Sequence, residues 1–564
     1  MSNGHFNSFD GSEIFYRKWN FKPSQKSVII IHRGHEHSER LNDIATSSQF
    51  SEYNIFAFDL RGHGHTKTET SSVFMDYVRD LDAFAHYLKS AYAIPSTDMF
   101  VIANSIGGVI ASAWVHDYAP NIAGMALLAP AFRINLIVPL ANEMITLGTK
   151  LKKDLIIKSY VKSTMLTHDV AQQNAYDTDS LITRSIDAKL LIDLADAGKR
   201  LVEDAAAIDT PTLILSAEKD KVVFNKDQKI FFDKLDTNLK QLEVLPDFFH
   251  GILFETEKEL VYDKMKSFAV QSFKQPQKKL GLEPDQFSMV EHRSLQNKEG
   301  NNLNFKFQKW SLSKIGKISE GMAIGLEHGF DSGASLDYVY HNKPKGKLGF
   351  GTMMDKNYLE AIGWRGIRIR KQHLLQLLEK NIEQLKKAGR SIKILDVAGG
   401  TGNYLFDIKD TYPEAEIVIN EFVKENIDIG QKVIDTKGYK NVRFTNFDCF
   451  DPETYKKINF EPTIIIVSGI LELFGDNEMA SKALAGIQSV AEKNAHVVYT
   501  GQPWHPQLKM IAYVLNSHQK KNWVMRRRSQ KELDRLMAYN GIYKETMLID
   551  DFGIFTVSSA KVNY

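Results

Sequence analysis

Asp98-Met99-Phe100-Val101-Ile102-Ala103-Asn104-Ser105-Ile106-Gly107-Gly108 passes from an apolar run straight into a serine flanked by small residues. A strand that turns abruptly into a helix holds such a serine in a strained conformation with its Oγ exposed, and only small neighbours fit beside it. Gly107 and Gly108 meet that need on the helix side, whereas Ala103 places a methyl where glycine is commoner. The start of the following helix turns backbone N–H groups toward the space in front of the serine. An ordinary turn or helix cap is the competing reading of Ser105, and the rest of the chain decides between them.

Around this stretch, short apolar runs at 28–32, 54–59, 125–130, 212–217 and 242–246 alternate with helix-length segments such as 71–92. That rhythm predicts a mostly parallel sheet covered by helices. Asp220 follows the run at 212–217 and His250 the run at 242–246, so serine, acid and histidine each fall at the C-terminal end of a strand. In that order His250 takes the proton of Ser105 and Asp220 fixes the imidazole tautomer. Gly34, in His32-Arg33-Gly34-His35-Glu36-His37, follows the first clear run; its N–H and that of Ile106 are the candidate oxyanion donors. His63 and His65 crowd the same edge without an acidic or thiol ligand pattern, so no metal is expected. The interval 132–208 is too long for a simple crossover and reads as an inserted helical cap, apolar enough to cover an acyl chain.

The blocks HRGHEHS, FDLRGHGHT, ANSIGG, LILSAEKDKVV and LPDFFHGILFE resemble the monoacylglycerol-lipase/lysophospholipase (serine aminopeptidase-like) branch of the α/β-hydrolases over roughly residues 8–270. The resemblance implies hydrolysis of monoacyl lipids and related esters, with Ser105, Asp220, His250, Gly34 and Ile106 at the nucleophile, acid, base and oxyanion positions. Arg33 and Ala103 stand where relatives usually carry glycine. Arg33 either narrows the oxyanion wall or brings a cation toward a phosphate-bearing substrate.

The chain has 564 residues with 71 basic and 69 acidic side chains, a net charge of +2, and 43% hydrophobic residues. Disordered and collagen-like chains are excluded. The single cysteine, Cys449, rules out an intrachain disulfide framework. No secretory signal is visible at the N-terminus and no apolar run approaches the ~18 residues of a membrane span. A cytoplasmic protein is expected, with peripheral membrane contact left open.

Residues 272–314 are polar and punctuated by Gly, Asn and Pro, and read as a connector between a first domain at 1–271 and a second at 315–564. A second alternating series then follows, at 391–398, 416–421, 442–447, 463–469, 496–502 and 552–560. Its first strand runs into Asp396-Val397-Ala398-Gly399-Gly400-Thr401-Gly402, a bare-backbone turn that admits a ligand close to the main chain. The dinucleotide fingerprint G-x-G-x-x-G fails, because Leu405 stands where its last glycine belongs, so NAD and FAD are disfavoured. Glu421, at the end of the second strand, is suited to ribose hydroxyls. Asp448, after the third, can accept from an adenine amino group, and Ser468, after the fourth, lies on the same rim.

This constellation is similar to class I S-adenosylmethionine-dependent methyltransferases over roughly 385–561. DVAGGTGNY matches their first motif with Ala398 in the place of its first glycine. The resemblance implies a Rossmann-like fold closed by an antiparallel hairpin at 545–560. It also implies S-adenosylmethionine held by Asp396, Ala398, Gly399, Gly400, Gly402, Glu421, Asp448 and Ser468. The extension from 315 resembles the methyltransferase domain fused behind a hydrolase in bacterial proteins. His505 in GQPWHPQ and His518 are candidate bases for an oxygen nucleophile, each also readable as a structural histidine. The runs Arg365/Arg368/Arg370/Lys371 and Arg526-Arg527-Arg528 can hold phosphate, but intramolecular pairs account for them equally, and no nucleic-acid motif accompanies them.

The expectation is therefore an α/β chain of two domains, a serine ester hydrolase with a helical cap and a methyltransferase, acting on small-molecule or lipid substrates. Two alternatives stay open: an active methyltransferase of lipid, small molecule or RNA with a non-catalytic hydrolase-like binding module, and a non-enzymatic lipid- or protein-binding scaffold.

Overall fold

Runs of β-branched residues bury both faces of a strand, and they build the centre of each sheet. The computed structural model describes residues 1–23, 25–67, 72–135, 155–276, 280–300 and 302–563. It divides into two compact units, Met1–Lys278 and Lys279–Tyr564.

The first unit holds β1 (Ser2–Asn7), β2 (Glu13–Trp19), β3 (Ser27–Ile31), β4 (Asn54–Phe58), β5 (Met99–Asn104) and β6 (Gly124–Leu128). After the short β7 (Ile156–Lys158) and β8 (Ser185–Asp187) come β9 (Thr212–Ala217) and β10 (Lys240–Leu245). The main sheet has the order β1-β2-β4-β3-β5-β6-β9-β10, antiparallel at its β1-β2-β4 edge and parallel from there on. β3, β4, β5, β6 and β9 are buried along their whole length, which places the serine stretch at the end of a central strand.

The cap is not purely helical. In its described part, β7 and β8 pair as an antiparallel ribbon beside the helices Val170–Thr178 and Ala188–Glu203, while 136–154 lie outside the described residues. The strands are three residues each, too short to leave a period-two signature. Helix Ala188–Glu203 is clamped to helix Ile106–Asp117 by buried polar pairs. Arg200 donates to both oxygens of Asp117 at 2.6 and 2.8 Å, and His116 bridges Asp117 and Asp204 at 2.6 and 2.8 Å. Burial opposes a charged His116, but the two carboxylates outweigh it and raise its pKa.

The second unit contains β11 (Lys393–Asp396), β12 (Glu416–Asn420), β13 (Val442–Thr445), β14 (Ile464–Val467), β15 (His496–Gly501), β16 (Ile542–Ile549) and β17 (Thr556–Val562). Their order is β13-β12-β11-β14-β15-β17-β16, parallel except for β17, which runs antiparallel between β15 and β16. Helix Ile362–Lys387 packs on this sheet through Leu374, Leu377, Leu378, Ile382 and Leu385, an i, i+3, i+4 stripe.

Residues 280–314 are no loose connector. They include the helix Gln286–Gln296 and most of the helix Leu303–Ile315, and both belong to the second unit. Leu295 is buried with Leu508, Ile511 and Met525. Ser288 accepts from Arg526 at 3.1 Å, and the same guanidinium pairs with Glu532 at 2.6 Å. Attachment through a few apolar and several buried polar groups is invisible to hydropathy, which is why this stretch reads as a linker. The second unit therefore begins well before residue 315.

Candidate active sites in the two units

Ser105 has φ 56° and ψ −115°, a left-handed backbone that L-residues avoid. Its surroundings impose that strain. A Cβ on Gly107 would stand 2.9 Å from the carbonyl oxygen of His32, and one on Gly108 would stand 2.8 Å from Pro130 Cβ. Ala103 is buried within β5, in register with Ile31 and Leu127.

The structure brings Ser105, His250 and Asp220 together. Ser105 Oγ lies 2.8 Å from His250 Nε2, and His250 Nδ1 lies 2.8 Å from Asp220 Oδ2. An ionised carboxylate only accepts, so Nδ1 carries the proton and Nε2 is left to accept from the serine. Asp220 Oδ1 accepts the N–H groups of Val222 and Val223 at 2.8 and 3.0 Å. Burial works against ionised Asp220, but His250 and these hydrogen bonds prevail and lower its pKa.

Ser105 and His250 open onto a cavity of about 270 Å³, whose lining includes Gly34, Ile106, Leu166, Ile186 and Val222. A Cβ on Gly34 would fall 2.6 Å from Ile106 Cδ1, the terminal methyl of that side chain, so the two segments approach closely here. The crowded histidines are structural ties. His32 donates from Nδ1 to the Arg33 carbonyl at 2.7 Å and accepts the Leu60 N–H at Nε2 at 3.0 Å, joining two loops. Burial pushes its pKa down to about 4, keeping it neutral. His35 and His37 reach Thr183 and Asp179 of the cap at 3.1 and 2.9 Å.

Arg33 is buried and pairs with Glu36 at 2.8 Å, and Arg40 binds the same carboxylate at 2.7 Å. Burial alone would raise Glu36, but the two guanidinium groups hold it near 2. Glu36 thus serves two guanidinium groups, and Arg33 itself lines the cavity in front of Ser105.

In the second unit the turn after β11 carries Gly400 and Gly402 at φ 57° and 79°. A Cβ on Gly399 would stand 2.5 Å from Ile419 Cγ2, while one on Gly400 would meet nothing within 4 Å. Glu421 closes on this turn: its Oε2 accepts the Gly400 N–H at 2.9 Å and its Oε1 the Val423 N–H at 2.8 Å. Asp396 is buried, accepts from Ala398 N–H at 3.2 Å and from the Tyr404 hydroxyl, and thereby shapes the turn. Burial raises its pKa to about 7.

Asp448 is exposed after β13, its Oδ1 accepting the Phe450 N–H at 2.9 Å, and it makes no hydrogen bond to the turn. Ser468 is half-buried after β14. Sequence reading missed Asn420, whose amide donates to the carbonyls of Val397 and Phe447 at 3.1 Å each and so ties the turn to the Asp448 loop. It also missed Asp337, which meets Thr401 Oγ1 at 3.5 Å and brings the helix Gly333–His341 onto the turn. A polar residue ending the apolar strand EIVIN was the available signal for Asn420; Asp337 had none.

Beyond the ends of β14 and β15 lies a second cavity of about 480 Å³. Its lining includes Gly469, Gln502 and His505 together with Leu312, Trp364 and Ile367. His505 Nδ1 accepts the Gln507 N–H at 3.0 Å. Its Nε2 therefore carries the proton, and burial pushes the ring's pKa down to about 4. A neutral ring in this tautomer donates at Nε2 and cannot serve there as a base. His518 is exposed and bonded to Asp331 at 2.9 Å. Arg526, Arg527 and Arg528 are all buried, pairing with Glu532, with Glu291 and with main-chain carbonyls, and present no basic face. No helix among the described residues is long and apolar enough to cross a membrane.

The model of a family described as "Putative methyltransferase" matches residues 265–562, and that of "Serine aminopeptidase, S33" matches 22–257. The chain is 39% identical to "Uncharacterized protein YnbC" of Escherichia coli (strain K12), over 98% of its own length and 97% of that protein's. A monoacylglycerol lipase of Mycolicibacterium smegmatis is 23% identical over 47% of this chain and 95% of its own. A crystal structure of the Paleococcus ferrophilus monoacylglycerol lipase covers 46% of this chain and 99% of its own, with 18% identity and a TM-score of 0.42. The chain thus belongs to the methyltransferase family whose model spans residues 265–562, and carries ahead of that region a lipase-like α/β-hydrolase domain.

Proposed function

We propose that this protein is a bifunctional enzyme, a serine ester hydrolase joined to an S-adenosylmethionine-dependent methyltransferase, both serving lipid or lipid-like substrates. One observation carries the hydrolase reading: the unbroken relay Ser105–His250–Asp220 facing an apolar cavity. Ser105 Oγ attacks the ester carbonyl as His250 takes its proton. The N–H groups of Gly34 and Ile106 receive the developing oxyanion. His250 then protonates the leaving alcohol and afterwards draws a proton from the water that releases the acid. Asp220 stabilises the imidazolium throughout. The cavity's Ile, Leu and Val lining suits an acyl chain, in keeping with the monoacylglycerol lipases among the relatives.

In the second unit the donor set fits S-adenosylmethionine: a turn open at Gly400, a buried carboxylate at Glu421 closing on it, and Asp448 on the neighbouring loop. Gly399, Gly400 and Gly402, with Ala398, would admit the cofactor to the main chain; Glu421 would take the ribose hydroxyls and Asp448 the adenine. Asp396 would hold the turn from behind, and Ser468 would border the acceptor side. When bound, the cofactor supplies an electrophilic methyl group. The protein's part is to orient and desolvate the acceptor, for which no universal catalytic side chain is needed.

Fluorophosphonate labelling read by intact mass tests the nucleophile: one adduct on the native protein and none on Ser105→Ala is expected, and equal labelling of both overturns the assignment. Calorimetry with S-adenosylmethionine tests the other half, where Glu421→Ala should weaken binding; no heat from the folded native protein removes the cofactor reading.

A further inference from the structure

Two neighbouring surface segments of the second unit share an unusual composition. Residues 303–318 contain Lys306, Lys309, Lys314 and Lys317, and residues 341–354 contain Lys343, Lys345 and Lys347; neither segment has an acidic residue. Lys309 is turned to Asn516 and Asn522 at 3.3 and 3.1 Å and Lys345 lies 3.7 Å from Glu320, so the other five lysines frame the face. The two segments are joined side by side, the Lys347 N–H donating to the Ile318 carbonyl at 2.9 Å. Between these lysines stand large apolar side chains in solvent: Leu303, Phe307, Trp310, Leu348, Phe350 and Met353, from 54% to 97% exposed. On the helix Leu303–Ile315, Leu303, Phe307 and Trp310 form an outward i, i+4, i+7 stripe, while Phe305 and Leu312 pack inward.

This face borders the cavity of about 480 Å³, since Phe307 and Gln308 line it from the helix and Met354 and Asn357 from the helix Phe350–Leu359. Two of the lining residues hold buried donors that lack partners. Gln502 Nε2 and Trp523 Nε1 are buried without a hydrogen bond, and His505 presents its Nε2–H. Buried polar groups are ordinarily satisfied, so unmatched donors in an apolar sleeve mark the place of a ligand's oxygen acceptors.

We infer that the lysine-framed face docks on an anionic lipid bilayer. From it the cavity draws an amphiphile, with the hydrocarbon body in the sleeve and a hydroxyl, carbonyl or ionised oxygen at Gln502 and His505. Exposed aliphatic side chains beside lysines are the chemistry of an interfacial anchor, and continuity with the cavity gives the anchor a purpose. Identifying this amphiphile as the methyl acceptor rests on the methyltransferase reading; the docking itself does not.

Co-sedimentation of the full chain with vesicles of dioleoylphosphatidylcholine, with and without one quarter dioleoylphosphatidylglycerol, tests the face. Binding to the anionic vesicles alone is expected, weakened by salt and by about tenfold or more in Leu303→Ser/Trp310→Ser and in Leu348→Ser/Phe350→Ser. These side chains are exposed, so unchanged thermal melting is expected to show that the variants fold; should one pair fail to fold, the other pair still decides. No vesicle binding, or equal binding by the folded variants, overturns the docking. The cavity is tested with 11-(dansylamino)undecanoic acid, for which Gln502→Leu should lose about tenfold in affinity, as for one hydrogen bond; an unchanged constant overturns the polar end. Failure to bind S-adenosylmethionine would leave both results standing and remove only the acceptor's role.

Discussion

Replacing Ser105 with alanine removes one hydroxyl from a relay whose three members act as a unit, so turnover of short p-nitrophenyl esters should fall by at least about 10³-fold. Circular dichroism should show no change of fold, because alanine keeps the same backbone. Gly107→Ala tests the elbow rather than the chemistry. Its methyl would face the His32 carbonyl and Ile31 at 2.9 Å, at the end of β3. A loss of about 1–3 kcal/mol is expected from denaturant unfolding. In the other unit Asp396 gives a pH signature. Its folded pKa is raised from 3.8 to about 7, so between these values the folded state holds a proton that the unfolded state has lost. Its contribution to stability therefore falls as pH rises from about 4 to 7 and is flat above. Urea unfolding of Asp396→Asn across that range should lack this slope.

At the scale of elements, the buried pair Arg526–Glu532 joins the segment before the helix Gln530–Tyr539 to the helix Gln286–Gln296 through Ser288. Arg526→Met removes the closest cation of Glu532, which keeps Arg528 at 3.8 Å and the Asn477 amide at 2.8 Å, so a cost of about 1.5–3 kcal/mol is expected in chemical denaturation. For the same reason a fragment beginning at 315 should melt lower than one beginning at 280, as a thermal scan would show. These helices also mark where the sequence stops being legible. The central strands announce themselves because runs such as Val28–Ile31 and Ile464–Val467 are buried on both faces. β1 (SNGHFN), nearly all polar, β2 (EIFYRKW), with no regular alternation, and the three-residue β7 and β8 leave too faint a pattern. Ser105, Asp220, His250 and Glu421 could be found because each follows a recognisable strand. Asp337 could not, because a contact made across the fold decides its place. His505 was visible as a residue, but its tautomer depends on one backbone N–H of a neighbouring turn.

Across the whole molecule, each unit has its own sheet, core and crevice. Ser105→Ala should therefore leave the S-adenosylmethionine isotherm unchanged, and Glu421→Ala should leave ester hydrolysis unchanged. Coupled losses in both assays would mean that the sites communicate. The burial of Arg526–Arg528 has one more consequence. Three consecutive arginines are the densest target for trypsin in the chain, yet all three are sealed and bonded in the native second unit. The protease reaches them only in molecules that have opened, so the rate of cutting at that triplet is a built-in gauge of how often the second unit comes apart.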